Sequence, residues 1–593
     1  MNLRADHIYR TFLRLTRRLS NSQIMMLLAV VVGVLAGVGT YLFEMLLYGI
    51  KYGLTNWFPV DSAHILFLIY PAVGIILATL FVKYIVRDNI SEGVTRVLYA
   101  MSRRNSRIAR HNCWTSIVGG ATTIGFGGSV GPEAPIVLTG AAIGSNIGRL
   151  ARLNYKHTTL LLCCGAGAAL AAIFKAPITG VVFVLEILML DITAGSVIPL
   201  LIASITATTM AFMLRGFDPI LAVTLAPADA FELWQIPLFI LLGVLCGLMA
   251  WYFTSMNSRV GGFFKSIDKQ YKKWLWGGAI LGILIFVFPP LYGEGYEGFT
   301  SLMHGNAQEL FNNSLFYRFR DIDWVIILFV IATMFFKVIA MSTTNAAGGV
   351  GGTFAPSLFV GAFTGASLAL VCNTLFGWEV SIVSFTLVGM AGVMSGVMKA
   401  PLTSIFLIAE LSNGYGLFIP LMITACISFA VDYYLDPDSI YTKQLRQKGE
   451  LLTHDKDQSV FVFLKLEELM ETDFLRIKEN MTLGDIVHII STARRNIFPV
   501  IDNFGRLIGV VQLDDLREDM FKHEKYGHPI SDYMIPPPDK IIEHEAILSV
   551  MEKFEDKHAW MLPVVDKQGR YLGFISKSRI LNAYREQLVK IQQ

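Results

Sequence analysis

Apolar residues dominate the chain from about residue 22 to 435, with only short polar breaks, and charged residues take over from about residue 443 to the end. Two early runs, Ile24 to Leu47 and Ile65 to Val86, are long enough to cross a bilayer at about 20 residues per helix. Behind them, Arg87-Asp88-Asn89-Ile90-Ser91-Glu92-Gly93-Val94 supplies Asn and Ser, cap residues that predict another helix start. After Ile117 the runs shorten. Gly and Pro break them at Gly127–Val137, at Ala166–Phe174 and at Lys175-Ala176-Pro177. In a membrane, unpaired backbone is tolerated only where protein buries it or it lines a cavity. The pattern predicts an all-α polytopic membrane domain with broken helices, which mark transport sites.

The stretch Gly127-Gly-Ser-Val-Gly-Pro-Glu133-Ala-Pro-Ile-Val137 sets one carboxylate among glycines and prolines. Placing a charge at bilayer depth costs roughly 2.5–3.5 kcal/mol on insertion scales, so Glu133 is a candidate functional acid. Proline suits the first turn of a helix, and a helix N-terminus favours anions. One place therefore combines an anion site with a titratable group.

The membrane part repeats itself. Lys175-Ala-Pro-Ile-Thr-Gly-Val-Val-Phe-Val-Leu-Glu186 matches Lys399-Ala-Pro-Leu-Thr-Ser-Ile-Phe-Leu-Ile-Ala-Glu410, and Ile198-Pro199-Leu200 matches Ile419-Pro420-Leu421. Gly131-Pro-Glu-Ala-Pro135 matches Gly352-Thr-Phe-Ala-Pro356. Two related halves, about 24–215 and 234–435, place a site at their interface, with both GxxxP starts aimed at one centre. The residues leave parallel and inverted repeats open.

Composition narrows the class. The chain is 54% hydrophobic and 16% charged, as an integral membrane protein should be. A net charge of +3 with no basic, aromatic-interleaved stripe gives no case for nucleic acid. The six cysteines lie in or beside apolar runs with no CxxC pair and read as buried small hydrophobes. The histidines form no metal-ligand spacing. Arg4, Arg10, Arg14, Arg17 and Arg18 alternate with apolar residues, so residues 1–22 read as an amphipathic helix on the cytoplasmic face.

At this point the membrane part, residues 23–447, resembles the chloride channel and chloride/proton exchanger (CLC) family. Gly131–Pro135 is similar to the family's GREGP motif, which puts Glu133 on the gating glutamate. Gly352–Pro356 is similar to GxFxP, which puts Phe354 and Ala355 along the anion path, with Gly131 of the first motif beside them. Tyr441 falls on the inner-gate tyrosine. Ser91-Glu92-Gly93-Val94 is the match to the family's serine motif, with either Glu92 or, one residue earlier, Ser91 at the anion. The resemblance implies an inverted repeat of about 18 helices and a homodimer with one pore per subunit. It implies chloride, and for exchangers protons, as cargo. The inner proton glutamate of family exchangers is replaced by Ile187, leaving Glu133 and Glu186 as the candidate proton path.

The tail repeats too: Phe498–Gly509 matches Leu562–Gly573, each read as strand, Asp-x-x-Gly turn, strand, after helical patterns at Thr482–Arg494 and Glu545–Lys557. It looks like an α/β pair of CBS domains, 467–526 and 527–593, behind a linker at 448–466. The family's ribose-contacting pattern is half present in each copy, as Gln512 and Asp515 in the first and Ser576 and Arg579 in the second. A structural or dimerising module is favoured over an adenine-nucleotide site, and no other cofactor is implied.

The expectation is anion transport gated by Glu133 in the plasma membrane, with the N-terminus and CBS pair cytoplasmic. Ile187 favours channel-like or weakly coupled flow over chloride/proton antiport. A CBS-regulated divalent-metal transporter using Glu92, Glu133, Glu186 and Glu410 is the alternative of another class. No nucleophile–base constellation supports an enzyme.

Overall fold

A computed structural model describes residues 20–56, 65–91, 93–103, 105–190, 193–217, 231–412, 414–443, 464, 466–493 and 495–592. The basic segment 1–19, most of the 448–466 linker and Glu92 lie outside the described residues. The chain divides into two units, Met1–Leu451 and Leu452–Gln593.

In the first unit the helices run α1 (Asn21–Thr55), α2 (Tyr70–Leu80), α3 (Gly93–Arg103), α4 (Thr115–Gly125), α5 (Glu133–Leu150), α6 (Tyr155–Phe174), α7 (Pro177–Glu186) and α8 (Ala194–Arg215). The second half continues with α9 (Ile236–Lys265), α10 (Gln270–Val287), α11 (Tyr296–Met303), α12 (Asp323–Ala347), α13 (Phe354–Phe376), α14 (Ile382–Met398), α15 (Pro401–Leu411) and α16 (Phe418–Leu435). Among the described residues, 8 helical spans are long and apolar enough to cross a membrane. α1 begins on a capping box, with Ser20 and Gln23 satisfying each other's backbone N–H groups. α2 is extended by a single π turn over Phe81–Val86.

Small residues set the closest helix contacts. Gly140 and Gly144 of α5 meet the backbone of Gly165 and Leu161 on α6, and Gly361 and Gly365 of α13 meet Gly389 and Phe385 on α14 in the same way. Without a hydrophobic drive between helices in lipid, such close backbone approach supplies the packing energy. The same device in both halves is the repeat expressed in three dimensions.

The direction of the repeat is fixed by α7 and α15. Glu186, the last residue of α7, accepts N–H bonds from Leu402 (3.1 Å) and Thr403 (2.7 Å) in the first turn of α15. Glu410, near the end of α15, accepts from Ile178 (2.9 Å) and Thr179 (2.8 Å) in the first turn of α7. Each helix ends where the other begins, so these equivalent helices are antiparallel and one half is turned over relative to the other. Cys163, Cys164, Cys246 and Cys372 are buried as expected, but Cys426 is exposed on α16 and Cys113 is half-buried. Cys113 still packs against the core, so Cys426 alone of the six departs from the reading as a buried residue.

The second unit holds two copies of one small sheet. In the first, β1 (Ile477–Lys478) pairs in parallel with β2 (Ile497–Ile501), which pairs antiparallel with β3 (Leu507–Gln512). In the second, β4 (Ile541–Ile542), β5 (Met561–Val565) and β6 (Tyr571–Ser576) repeat the order. Each hairpin turn is tied by its aspartate. Asp502 accepts from the amides of Phe504 and Arg506, and Asp566 from those of Gln568 and Arg570. The copies exchange leading segments, with Glu471 bridging to Phe574 and Ile535 to Val510.

Candidate anion pathway

The two GxxxP starts meet. Gly131 and Gly352 form an antiparallel bridge, with N–H···O distances of 2.9 and 2.7 Å. The bridge brings the first turns of α5 and α13 face to face from opposite repeats. Two further bonds cross in the same reciprocal sense. Ser129 N–H donates to Thr344 Oγ1 at 3.2 Å, and Val350 N–H donates to Thr123 Oγ1 at 3.0 Å. Sequence reading missed these threonines. Their signal was available: they occupy matching positions before the matching motifs.

Glu133 lies at the centre and is 1% exposed. Its Oε1 accepts from the Phe354 amide at 2.6 Å, while Oε2 is buried without a hydrogen-bond partner. A Cβ on Gly131 or Gly352 would overlap the carboxylate oxygens, so only glycine leaves room for a charged group there. The carboxylate thus fills a cradle of backbone amides at two helix N-termini, which is what an anion requires.

Other expected residues gather around it to different degrees. Phe354 stacks on Phe174 with ring centroids 5.3 Å apart. Ala355 is buried in the same first turn. The Tyr441 hydroxyl lies 3.4 Å from Thr353 Oγ1, one residue before Phe354. Gly93 opens α3 so tightly against Ala134 that a Cβ would overlap its carbonyl oxygen, which sets a third helix start beside Glu133. Ser91 is turned elsewhere: its hydroxyl donates to Asn89 at 2.6 Å. Glu186 is engaged at the α15 start, where Thr403 Oγ1 also donates to it at 2.7 Å. Ile187 is buried beside it.

Further charged sites in this unit lie outside the anion-path motifs. Lys337, fully buried in α12, donates to the Gly293 carbonyl at 2.9 Å and lies 4.9 Å from the Phe359 ring centroid. Its signal was a lone ammonium in an apolar run. Glu44 pairs with Arg215 at 2.6 Å, and Lys399 pairs with the buried Asp432. Among the described residues, no three His, Cys, Asp or Glu side chains gather as metal ligands.

This geometry has a counterpart among known proteins. The sequence model for voltage gated chloride channels matches residues 73–433, and that for CBS domains matches 466–522 and 530–586. The chain belongs to the CLC family. It is a multi-pass integral membrane protein for anion transport, not an enzyme, with a CBS pair at its C-terminal end. It is 28% identical over 419 residues to the H(+)/Cl(-) exchange transporter ClcA of Vibrio vulnificus, covering 67% of this chain and 84% of the relative. Its fold is similar to that of a slow cyanobacterial Cl−/H+ antiporter, with a TM-score of 0.60 at 23% identity, over 72% of this chain and 97% of the other. It is also similar to a eukaryotic CLC transporter, with a TM-score of 0.60 at 16% identity, over 94% and 99% of the two chains.

The CBS positions sort differently. Gln512 and Asp515 are exposed at the end of β3 and in the short helix after it, and Arg579 is exposed after β6. Ser576 is buried, and its hydroxyl donates to Glu471 Oε1 at 2.8 Å. Arg495 holds Glu471 at 2.7 Å and Asp473 at 3.0 Å. In this copy the ribose-type hydroxyl is already engaged by a carboxylate that Arg495 holds.

Proposed function

We propose that the chain carries chloride along a path closed by the Glu133 carboxylate and opened when that carboxylate is protonated. The observation that carries this reading is the acid's seat in an amide cradle that suits an anion. Ionised, Glu133 takes the anion's place. Neutralised, it loses the stronger of its two possible bonds to Phe354, since charge-assisted hydrogen bonds are roughly twice as strong as neutral ones. The cradle is then free for chloride, with Phe354, Ala355, Gly131 and Tyr441 along the path. The flow is channel-like or weakly coupled. Ile187 offers no proton and Glu186 is committed to the α15 start, which leaves no acid there to load Glu133 from the inner side.

Antiport is the second reading, supported by the similarity to the Vibrio vulnificus H(+)/Cl(-) exchange transporter. Chloride efflux from liposomes with simultaneous proton recording separates the two. Chloride movement without stoichiometric proton uptake supports the first reading, and a chloride gradient that drives protons uphill overturns it. We further propose a homodimer with one pore per subunit in the plasma membrane, N-terminus and CBS pair cytoplasmic. The exposed apolar residues Ile178, Ile198, Leu402 and Ile419 on α7, α8, α15 and α16 suit such an interface. The Ser576–Glu471 bond supports a structural role for the CBS pair.

A further inference from the structure

A gate that works by protonation needs a proton supply, and Glu133 has almost no contact with solvent. Its unpartnered Oε2 lies inside the protein. We propose that Glu294 is the proton-exchange group that serves Glu133, with the Tyr296 hydroxyl as the bridge between them. This rests on the reading of Glu133 as the gate.

Glu294 sits in the turn leading into α11, flanked by Gly293 and Gly295 at φ +61° and +89°. The turn is pinned over the gate. The Tyr292 hydroxyl donates to the Gly125 carbonyl at 2.8 Å, at the start of the loop that leads to Glu133. The Tyr292 ring packs so closely that a Cβ on Gly127 would lie 2.5 Å from it. Lys337 holds the Gly293 carbonyl, and a Cβ on Gly295 would lie 2.5 Å from the ring of Phe359, one turn beyond Phe354. Among the described residues Glu294 has no hydrogen-bond or ion-pair partner, and it is partly exposed. The Tyr296 hydroxyl is buried and also lacks a hydrogen-bond partner. The charges of Glu133 and Glu294 are in electrostatic range of each other and of the Tyr296 phenol.

The charge balance around the turn favours proton exchange. Facing Glu294 are Glu44 and Lys51 from α1, Arg215 from the end of α8, Glu297 from α11 and Lys337 from α12. Glu44 is paired with Arg215 at 2.6 Å, and Lys51 with Glu297 at 2.5 Å. That leaves Lys337 as the cation facing Glu294, which in turn faces Glu133. Two carboxylates and one ammonium are electroneutral when one carboxylate holds a proton, and neighbouring acids that cannot both ionise share that proton. The transfer balances. Glu133 Oε2 and the Tyr296 hydroxyl are not hydrogen-bonded to each other, so a water must span the gap. The proton on Glu133 Oε2 passes through it to the Tyr296 oxygen as the Tyr296 proton passes on to a carboxylate oxygen of Glu294, which exchanges with water.

The test is the response of the full chain, reconstituted in liposomes, to a step from neutral to acid pH. Glu294→Gln should slow the rise of chloride flux after the step roughly 10²-fold, the low end for loss of a positioned proton-transfer group. Tyr296→Phe should slow it as well. A rise at the wild-type rate in either variant overturns the proposal. So does flux lowered by one common factor at every pH with the rise time unaltered, because a packing role would do that. A separate arm with Glu133→Gln tests the gate itself: a full pH response in that variant would refute the gate reading, whatever Glu294 does.

Discussion

The Phe354 amide donates to Glu133 Oε1 at 2.6 Å, so the first turn of the second repeat closes on the acid of the first. The bond ties this acid to the seam between the halves. On the gating proposed above, the closed state depends on charge, because an ionised acceptor holds an amide more strongly than a neutral one. Chloride efflux from liposomes should therefore rise as the pH falls. Glu133→Gln keeps the size and removes the charge. Its efflux should be high and nearly flat across the same pH series, and a wild-type slope in that variant would rule out Glu133 as the titrating gate.

The cradle itself makes a second prediction. A Cβ at Gly352 would overlap the position of Glu133 Oε1, and an anion in the same seat would meet it as well. Gly352→Ala should weaken chloride binding at least about tenfold, the equivalent of 1.4 kcal/mol. Isothermal titration of the purified variant in detergent measures it. Unchanged affinity would mean that chloride does not use the amides at this seam.

A third prediction concerns the tail. The ammonium groups of Lys525 and Lys522 hold the Asp519 carboxyl down at about 2, and the Tyr533 hydroxyl also donates to it at 3.2 Å. An unfolded aspartate titrates near 3.9. The folded value is the lower one, so the contribution is complete above about pH 4 and is lost as the pH falls through about 2. Asp519→Asn should speed amide exchange over residues 519–533 at neutral pH, and the difference from wild type should shrink to nothing in strong acid. The effect should also weaken with added salt, because the two lysine side chains reach solvent.

Much of this was legible in the sequence because it is written as local pattern. The Gly-Pro-Glu start, its partner at Gly352 and the Lys-Ala-Pro repeats are short strings whose chemistry does not depend on distant neighbours. The convergence of α5 and α13 followed from the repeat alone. What the string could not carry was the choice of tertiary partner. Glu186 stood as a candidate on the proton path although a structural role at the membrane edge read more naturally, and the bonds from Leu402 and Thr403 tie it to the far repeat. Ser91 read as an anion ligand in one register, yet Asn89 takes its hydroxyl. Lys337 and Glu294 belong to no motif, and their meaning comes from a turn whose position only the packing of Tyr292 and Phe359 defines.

The reciprocal caps give the last prediction. Glu186 and Glu410 each accept two backbone N–H groups and one threonine hydroxyl from the opposite helix start, at 2.6–3.1 Å. Each satisfies donors that would otherwise be orphaned and adds a negative charge at a helix N-terminus. A side-chain cap contributes about 1 kcal/mol. Glu186→Gln and Glu410→Gln keep one acceptor oxygen and lose the charge, so each should lower the thermal unfolding midpoint in detergent. The two losses should be similar in size, because the sites are related by the repeat. They should also fall short of additive in the double variant, because the same pair of helices separates in each case. The pH slope of chloride efflux discriminates between a cap and a proton carrier. A cap leaves that slope in place when Glu186 becomes Gln, whereas a carrier would take the slope with it.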